Sequence, residues 1–164
     1  MGQVKGANMD QTRRNVLKAG GGASLFALLA AAGMLQPGTA LAADRNQKAF
    51  EAKNLKDALD ALGAGSPINS NDIVMTAPEI AENGAVVPIG AVSKVPGTES
   101  IAILIAKNPT ALAASFDIPA GTEPAVSTRV KMAETSEVHV LVKAQGKYYM
   151  TKKEIKVTIG GCGG

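Results

Sequence analysis

One thiol, Cys162, stands in the stretch Gly160-Gly161-Cys162-Gly163-Gly164, and it is the one cysteine in 164 residues. A thiolate is the strongest common side-chain nucleophile, and an ordinary thiol with a pKa of about 8.5 is a few per cent ionised near neutral pH. Sulfur can hold further sulfur covalently, as a disulfide, a persulfide or an S-sulfonate. Glycine has no side chain and visits both signs of φ, so Gly160, Gly161, Gly163 and Gly164 read as a flexible arm. Each extended residue spans at most ~3.3–3.6 Å, so Gly160 to Cys162 carry the sulfur roughly 10 Å beyond the preceding element. No fixed base travels with a thiol on such an arm, and a partner has to supply the electrostatics that activate it. That is the logic of a group carrier, with substrate attached covalently at Cys162 and no catalytic residue of its own.

Other readings of the same segment are weaker. A frayed, inert tail leaves four glycines placed symmetrically about the single thiol unexplained. An exported structural or adhesive β-sandwich whose Cys162 only forms an intermolecular disulfide is the main alternative. A thiocarboxylate carrier ending in Gly163-Gly164 needs ATP-dependent activation in the cytoplasm, which the export signal described next opposes. A stand-alone thiol oxidoreductase lacks a resolving cysteine or a Cys-x-x-Cys pair.

The elements that must position the thiol begin after a targeting segment. Thr12-Arg13-Arg14-Asn15-Val16-Leu17-Lys18 sets paired arginines before an uncharged Gly/Ala-rich run from about Ala19 to Leu35. Ala40-Leu41-Ala42 then offers small residues at the −3 and −1 positions of a peptidase site. Residues 1–42 therefore read as a twin-arginine (Tat) signal, which exports folded protein to the periplasm. The run is short of the ~20 strongly apolar residues of a spanning helix, so no stable membrane insertion is expected after cleavage. The formal charge of +3 comes from 17 basic and 14 acidic residues. Residues 1–42 hold Lys5, Arg13, Arg14 and Lys18 against Asp10, which leaves 13 of each sign downstream. A neutral mature chain gives no support to nucleic-acid binding. A lone thiol in an oxidising periplasm can pair with another molecule or react.

The mature chain, ~120 residues, is one ordinary domain, read as 43–159, with the arm at 160–164. Asp44 to Leu62 reads as one helix, capped by Asp44 or Asn46, with Ala52, Leu55, Leu59 and Leu62 on one face and a stop at Gly63-Ala64-Gly65-Ser66-Pro67. Seven strands are expected downstream: 73–76, 85–93, 99–107, 111–118, 125–133, 137–144 and 147–159. Pro88 marks an edge strand or bulge in the second. Ile101-Ala102-Ile103-Leu104-Ile105 suits a strand covered on both faces. Val126, Thr128, Val130 and Met132 share a face, as do Val138, Val140 and Val142, and Ile155, Val157 and Ile159. Gln145-Gly146-Lys147 suits a hairpin turn. The fold class is mostly β, an immunoglobulin-like antiparallel sandwich with an N-terminal helix and a flexible tail. An apolar sheet face left by so small a sandwich is expected to be covered by a second subunit.

Few other residues compete for a role. Lys152, Lys153 and Lys156 precede the arm; they read first as a solvated strand face and second as docking for acidic partners or a bias on an anionic adduct. His139 alternates with inward valines and is expected to face solvent or a partner. One His plus one Cys on a loose tail is not a metal site, so no metal is assigned. Met75, Met132 and Met150 suit packing. No Ser/His/Asp set, phosphate loop or paired-carboxylate motif is present.

The terminus Gly160-Gly161-Cys162-Gly163-Gly164, the Tat-type signal and the small β-rich domain together resemble the SoxY family of bacterial thiosulfate oxidation. Pro78-Glu79-Ile80-Ala81-Glu82-Asn83-Gly84-Ala85-Val86-Val87-Pro88 also looks like that family's segment before its second strand. The resemblance implies an immunoglobulin-like sandwich that pairs with a SoxZ-like subunit as a heterodimer. It implies that Cys162 takes thiosulfate oxidatively from a SoxXA-like c-type cytochrome, as a cysteine S-thiosulfonate. A SoxB-like manganese hydrolase then releases sulfate, and a sulfane dehydrogenase, where one is present, oxidises the remaining sulfur. The carrier itself is implied to be no enzyme and to bind no cofactor.

Overall fold

A computed structural model describes residues 45–160; the expected signal, 1–42, and residues 43–44 and 161–164 fall outside the described residues. Two helices replace the one expected: α1 is Gln47–Glu51 and α2 is Leu55–Ala61. Asn46 caps α1 by accepting a hydrogen bond from the Ala49 amide at 3.1 Å, and its Nδ2 donates to the Ala61 carbonyl at 2.7 Å. Ala52 turns extended (φ −63°, ψ 125°). Its carbonyl accepts from the Ala111 amide at 2.9 Å. Asn54 then caps α2 through the Asp57 amide at 2.8 Å. A polar side chain that satisfies nearby amides competes with helix continuation, and periodicity alone does not register it. Gly63, with φ 75°, ends α2, as the Gly/Pro cluster predicts.

Nine strands follow among the described residues. They are β1 Ile68–Asn69, β2 Ile73–Thr76, β3 Ile80–Asn83, β4 Val87–Ser93, β5 Thr98–Ile105, β6 Leu112–Asp117, β7 Ala125–Val130, β8 Ser136–Ala144 and β9 Lys147–Ile159. Seven match the expected set, and β1 and β3 are additional. The larger sheet runs β1-β9-β8-β5-β6, with β3 also on β9, and the smaller runs β2-β4-β7. Pairing is antiparallel except where β1 and β3 join β9 in parallel. β4 is the central strand of the smaller sheet rather than an edge. Pro88 is tolerated because β2 pairs with Gly90–Ser93 alone, so Pro88 faces a neighbour, Arg129, on one side only.

The chain thus builds a mostly β, immunoglobulin-like sandwich with helices on the outer face of the larger sheet. β5 carries the layering. Ile101, Ile103 and Ile105 enter clusters with Ile73, Val87, Ile89 and Met132, between the sheets. Ala102 and Leu104 pack under Ala49, Ala58 and Leu59 of the helices. Leu55, Leu62 and Met150 pack against the same cluster, and Met75 against the inter-sheet ones. Gln145 (φ 50°) and Gly146 (φ 72°) turn the β8–β9 hairpin. The outer face of the smaller sheet keeps Val74 and Val92 exposed. A groove of about 600 Å³ crosses it, lined by Thr76, Pro78, Pro88, Gly90, Val92 and Ser127 among others, none of them charged.

His139 contradicts the sequence expectation, because it is 3% exposed. It lies on the helix side of β8 between Leu104 and Lys152. Strand alternation placed it opposite the valines correctly, but that face is covered too. Neither ring nitrogen has a hydrogen-bond partner. The nearest charge is the Glu137 carboxylate, 3.5 Å from Nε2, which itself pairs with Lys152 at 2.8 Å. Burial pushes the imidazole pKa below its ordinary 6.5; Glu137 opposes that shift and Lys152 reinforces it. Glu137 is held below the ordinary carboxylate value mainly by its hydrogen bond from Lys152.

Two outcomes are expected. Ile103→Ala, at a fully buried inter-sheet position, should cost about 2–5 kcal/mol in denaturant unfolding. The pH dependence follows from His139. Below about 6.5 the unfolded imidazole binds a proton that the folded one resists, so stability falls as pH drops from 7 to 5. Glu137 contributes its own loss only below about 4.5 and does not interfere in that window. His139→Leu should flatten the slope, and an unchanged slope in that variant would refute the assignment.

Candidate functional site

The arm is launched by β9, whose sequence alternates cleanly. Lys152, Glu154, Lys156 and Thr158 line one face, and Lys153, Ile155, Val157 and Ile159 the other. On the second face burial declines toward the arm: Ile155 is fully buried, Val157 half-buried and Ile159 69% exposed. β8 pairs with β9 as far as Ser136 opposite Ile155. Beyond that point the last turn of strand would lack support on both edges without β3 and the segment 131–135.

β3 supplies one edge, with Ile80, Ala81 and Asn83 in register with Lys156, Val157 and Ile159. The Gly84 amide donates to the Ile159 carbonyl at 2.7 Å, and Thr158 Oγ1 donates to the Glu82 carbonyl at 2.8 Å. The other edge is the chain between β7 and β8. There the Val157 amide donates to Thr135 Oγ1 at 2.9 Å. Gly84 ties the two edges together, since its carbonyl accepts from the Met132 amide at 2.7 Å. Asn108, on the β5–β6 loop, holds this second edge in place. Its Nδ2 donates to the Lys131 carbonyl at 2.7 Å and its Oδ1 accepts from the Ala133 amide at 3.0 Å.

Of the expected site residues, Gly160 is described, exposed, at the foot of this clamp; Gly161, Cys162, Gly163 and Gly164 lie outside the described residues. The three lysines are not brought together. Lys152 is committed to Glu137 across the β8–β9 pair. Lys153 points to the opposite face and donates to the Ala77 carbonyl at 2.9 Å. Lys156 makes no side-chain hydrogen bond or ion pair among the described residues. A hollow of about 250 Å³ beside the clamp is lined by Lys153 and Lys156 but also by Glu79 and Glu154, with Ile80. Two cations and two anions make no well for an anion. Among the described residues no three His, Cys, Asp or Glu side chains converge as metal ligands, and no helix is long and apolar enough to cross a membrane.

Sequence reasoning missed β3, Gly84, Thr135 and Asn108 as parts of this clamp. Four residues with one buried side chain, Ala81, give no alternation, and parallel pairing with a strand more than seventy residues away leaves no local mark.

A model of the family described as sulfur oxidation protein SoxY matches residues 58–162. The match begins within α2, spans every strand and reaches the thiol. No curated protein sequence matches the chain. Among solved structures, the sulfur carrier protein SoxY from Chlorobium limicola f thiosulfatophilum is 43% identical, with a TM-score of 0.59, over 68% of this chain and 97% of that one. A chain from a study of T cell specificity and activation by the bacterial superantigen toxic shock syndrome toxin-1 is 13% identical over 52% of this chain and 98% of that one. Its TM-score of 0.37 is too low to bear on this fold. A family match that covers nearly all of the sandwich and the cysteine beyond it, together with a solved relative at this identity, establishes that the chain belongs to the SoxY family of sulfur oxidation proteins.

Proposed function

We propose that this protein is a periplasmic carrier that holds thiosulfate-derived sulfur on Cys162 and presents it to partner enzymes. The observation that carries the reading is the position of the single thiol, three residues past the clamped end of β9 and inside the family match. The solved relative is itself a sulfur carrier protein. A nucleophile flanked by glycine on both sides carries no bulky neighbour to block its entry into another protein's pocket.

The chemistry balances as follows. The thiol and thiosulfate join with loss of one proton and two electrons, giving Cys–S–S–SO₃⁻; the electrons pass to a SoxXA-like c-type cytochrome. Water then cleaves the terminal S–S bond at a SoxB-like manganese hydrolase, which releases sulfate and leaves a cysteine persulfide. A sulfane dehydrogenase, where present, oxidises the persulfide sulfur. In each step the chain contributes the sulfur and its delivery, which is a carrier's role rather than an enzyme's. A SoxZ-like subunit is proposed as the stable partner. The uncharged groove on the outer face of the smaller sheet, with Val74 and Val92 exposed, supports a covering subunit.

Cys162→Ser should fold as the parent does and abolish thiosulfate-dependent electron flow in a reconstituted system; retained flow would end the proposal. Intact mass of protein from thiosulfate-grown cells should show sulfur or sulfonate adducts on a chain beginning at Ala43. A disulfide-linked dimer without adducts on a non-reducing gel would instead favour the linking role. The lysines are tested separately. Lys156→Gln should weaken the salt dependence of turnover with partners and leave thermal stability unchanged, whereas Lys153→Gln should cost about 1–2 kcal/mol of stability through the lost bond to Ala77. Turnover and salt dependence both unaltered in a Lys152, Lys153 and Lys156 triple Gln variant would remove any docking role.

A further inference from the structure

Gly160 sits close against neighbouring backbone. A Cβ built on Gly160 would overlap the Ala133 carbonyl oxygen. Its φ lies outside the left-handed region, so glycine is needed here for close approach rather than for backbone conformation. The obstructing atom is backbone, and that backbone is not free to yield. Ala133 is fixed through its amide by Asn108, Lys131 is fixed through its carbonyl by the same side chain, and Met132 is fixed through Gly84. Gly84 in turn holds the carbonyl of Ile159, the residue before Gly160.

We infer that Gly160 is a steric joint, a positioning residue that seats the end of β9 against Ala133 and so fixes the point from which the thiol-bearing arm departs. The inference rests on the carrier reading for its consequence, but the joint itself is a property of the described residues. Only two further residues then separate a fixed point from the sulfur, and a partner's sulfur-binding site has to dock within roughly 7 Å of that point. A methyl group at 160 forces the strand end away from Ala133. The hydrogen bond from Gly84 to Ile159 is strained first, and the departure point moves while the thiol keeps its chemistry.

The test compares Gly160→Ala with Gly161→Ala in the mature chain. Amide hydrogen exchange of Gly84 and Met132 should accelerate tenfold or more in Gly160→Ala and stay at the parent rate in Gly161→Ala. Alkylation of Cys162 by iodoacetamide should stay within twofold of the parent in Gly160→Ala. In the same variant, kcat/KM of the partner hydrolase for the loaded carrier should fall tenfold or more. Asn108→Ala loosens the 131–133 backbone, so adding Gly160→Ala to that background should cost less than in the parent. Equal exchange at Gly84 and Met132 in the two glycine variants, or additive losses in the Asn108 pair, would overturn the joint. Failure of the carrier reading shows separately, as a parent protein that accepts no thiosulfate, and leaves the exchange result able to decide whether the joint exists.

Discussion

The structure depends on β9 running as one strand of 13 residues from the middle of the larger sheet to the foot of the arm. Its first nine residues pair with β8, and its last four rely on β3. A strand end with unpaired amides and carbonyls frays into water, and fraying would move the sulfur's origin with it. β3 prevents this at little cost in chain. Four residues supply parallel hydrogen bonds, and the Asn83-Gly84 turn that follows supplies the amide for the final carbonyl. Without β3 the sandwich would still have a core, but the end of β9 would have no defined position.

Core packing and site positioning are coupled through β5 and the loop after it. Ile103 and Ile105 lock β5 between the sheets, while Leu104 locks it beneath the helices. The loop that leaves β5 carries Asn108, whose amide side chain holds the 131–135 segment from a distance of more than twenty residues. The rigidity of the arm's foot is therefore inherited from a strand with both faces buried. Hydrogen bonds formed by loops are easily exchanged for water when the loops move. Anchoring both loops to the most buried strand keeps these formed.

What the sequence made legible follows from range. β5, β8 and β9 show apolar patterns over eight or more residues, and the thiol with its glycines is a local motif, so both could be read directly. The break between α1 and α2 was hidden because Ala52, Leu55 and Leu59 keep helical spacing across it, and caps by Asn46 and Asn54 override the period. β3 was hidden because its partner is remote. His139 shows the limit of alternation: the pattern says which side of β8 a residue takes, and burial depends on whether helices cover that side. The lysines illustrate the same point in charge. Three cations within five positions of a strand suggest one patch, but the pleat sends Lys153 to one face and Lys152 and Lys156 to the other.

A carrier arm faces two opposed demands, and the clamp reconciles them. The sulfur has to move freely enough to enter a pocket, which favours glycine. It also has to be present near that pocket at high local concentration, which favours a short tether from a fixed point. The volume a tethered atom explores grows as about the cube of its reach. Two extended residues beyond a fixed Gly160 give roughly 7 Å, and releasing the strand back to Lys156 would give roughly 23 Å. The second volume is about thirtyfold larger, so the sulfur would be diluted about thirtyfold before any partner was encountered. Holding Ile159 by its carbonyl and Gly160 by close contact keeps the tether short. Gly160 consequently serves through the absence of a side chain where the chain passes Ala133.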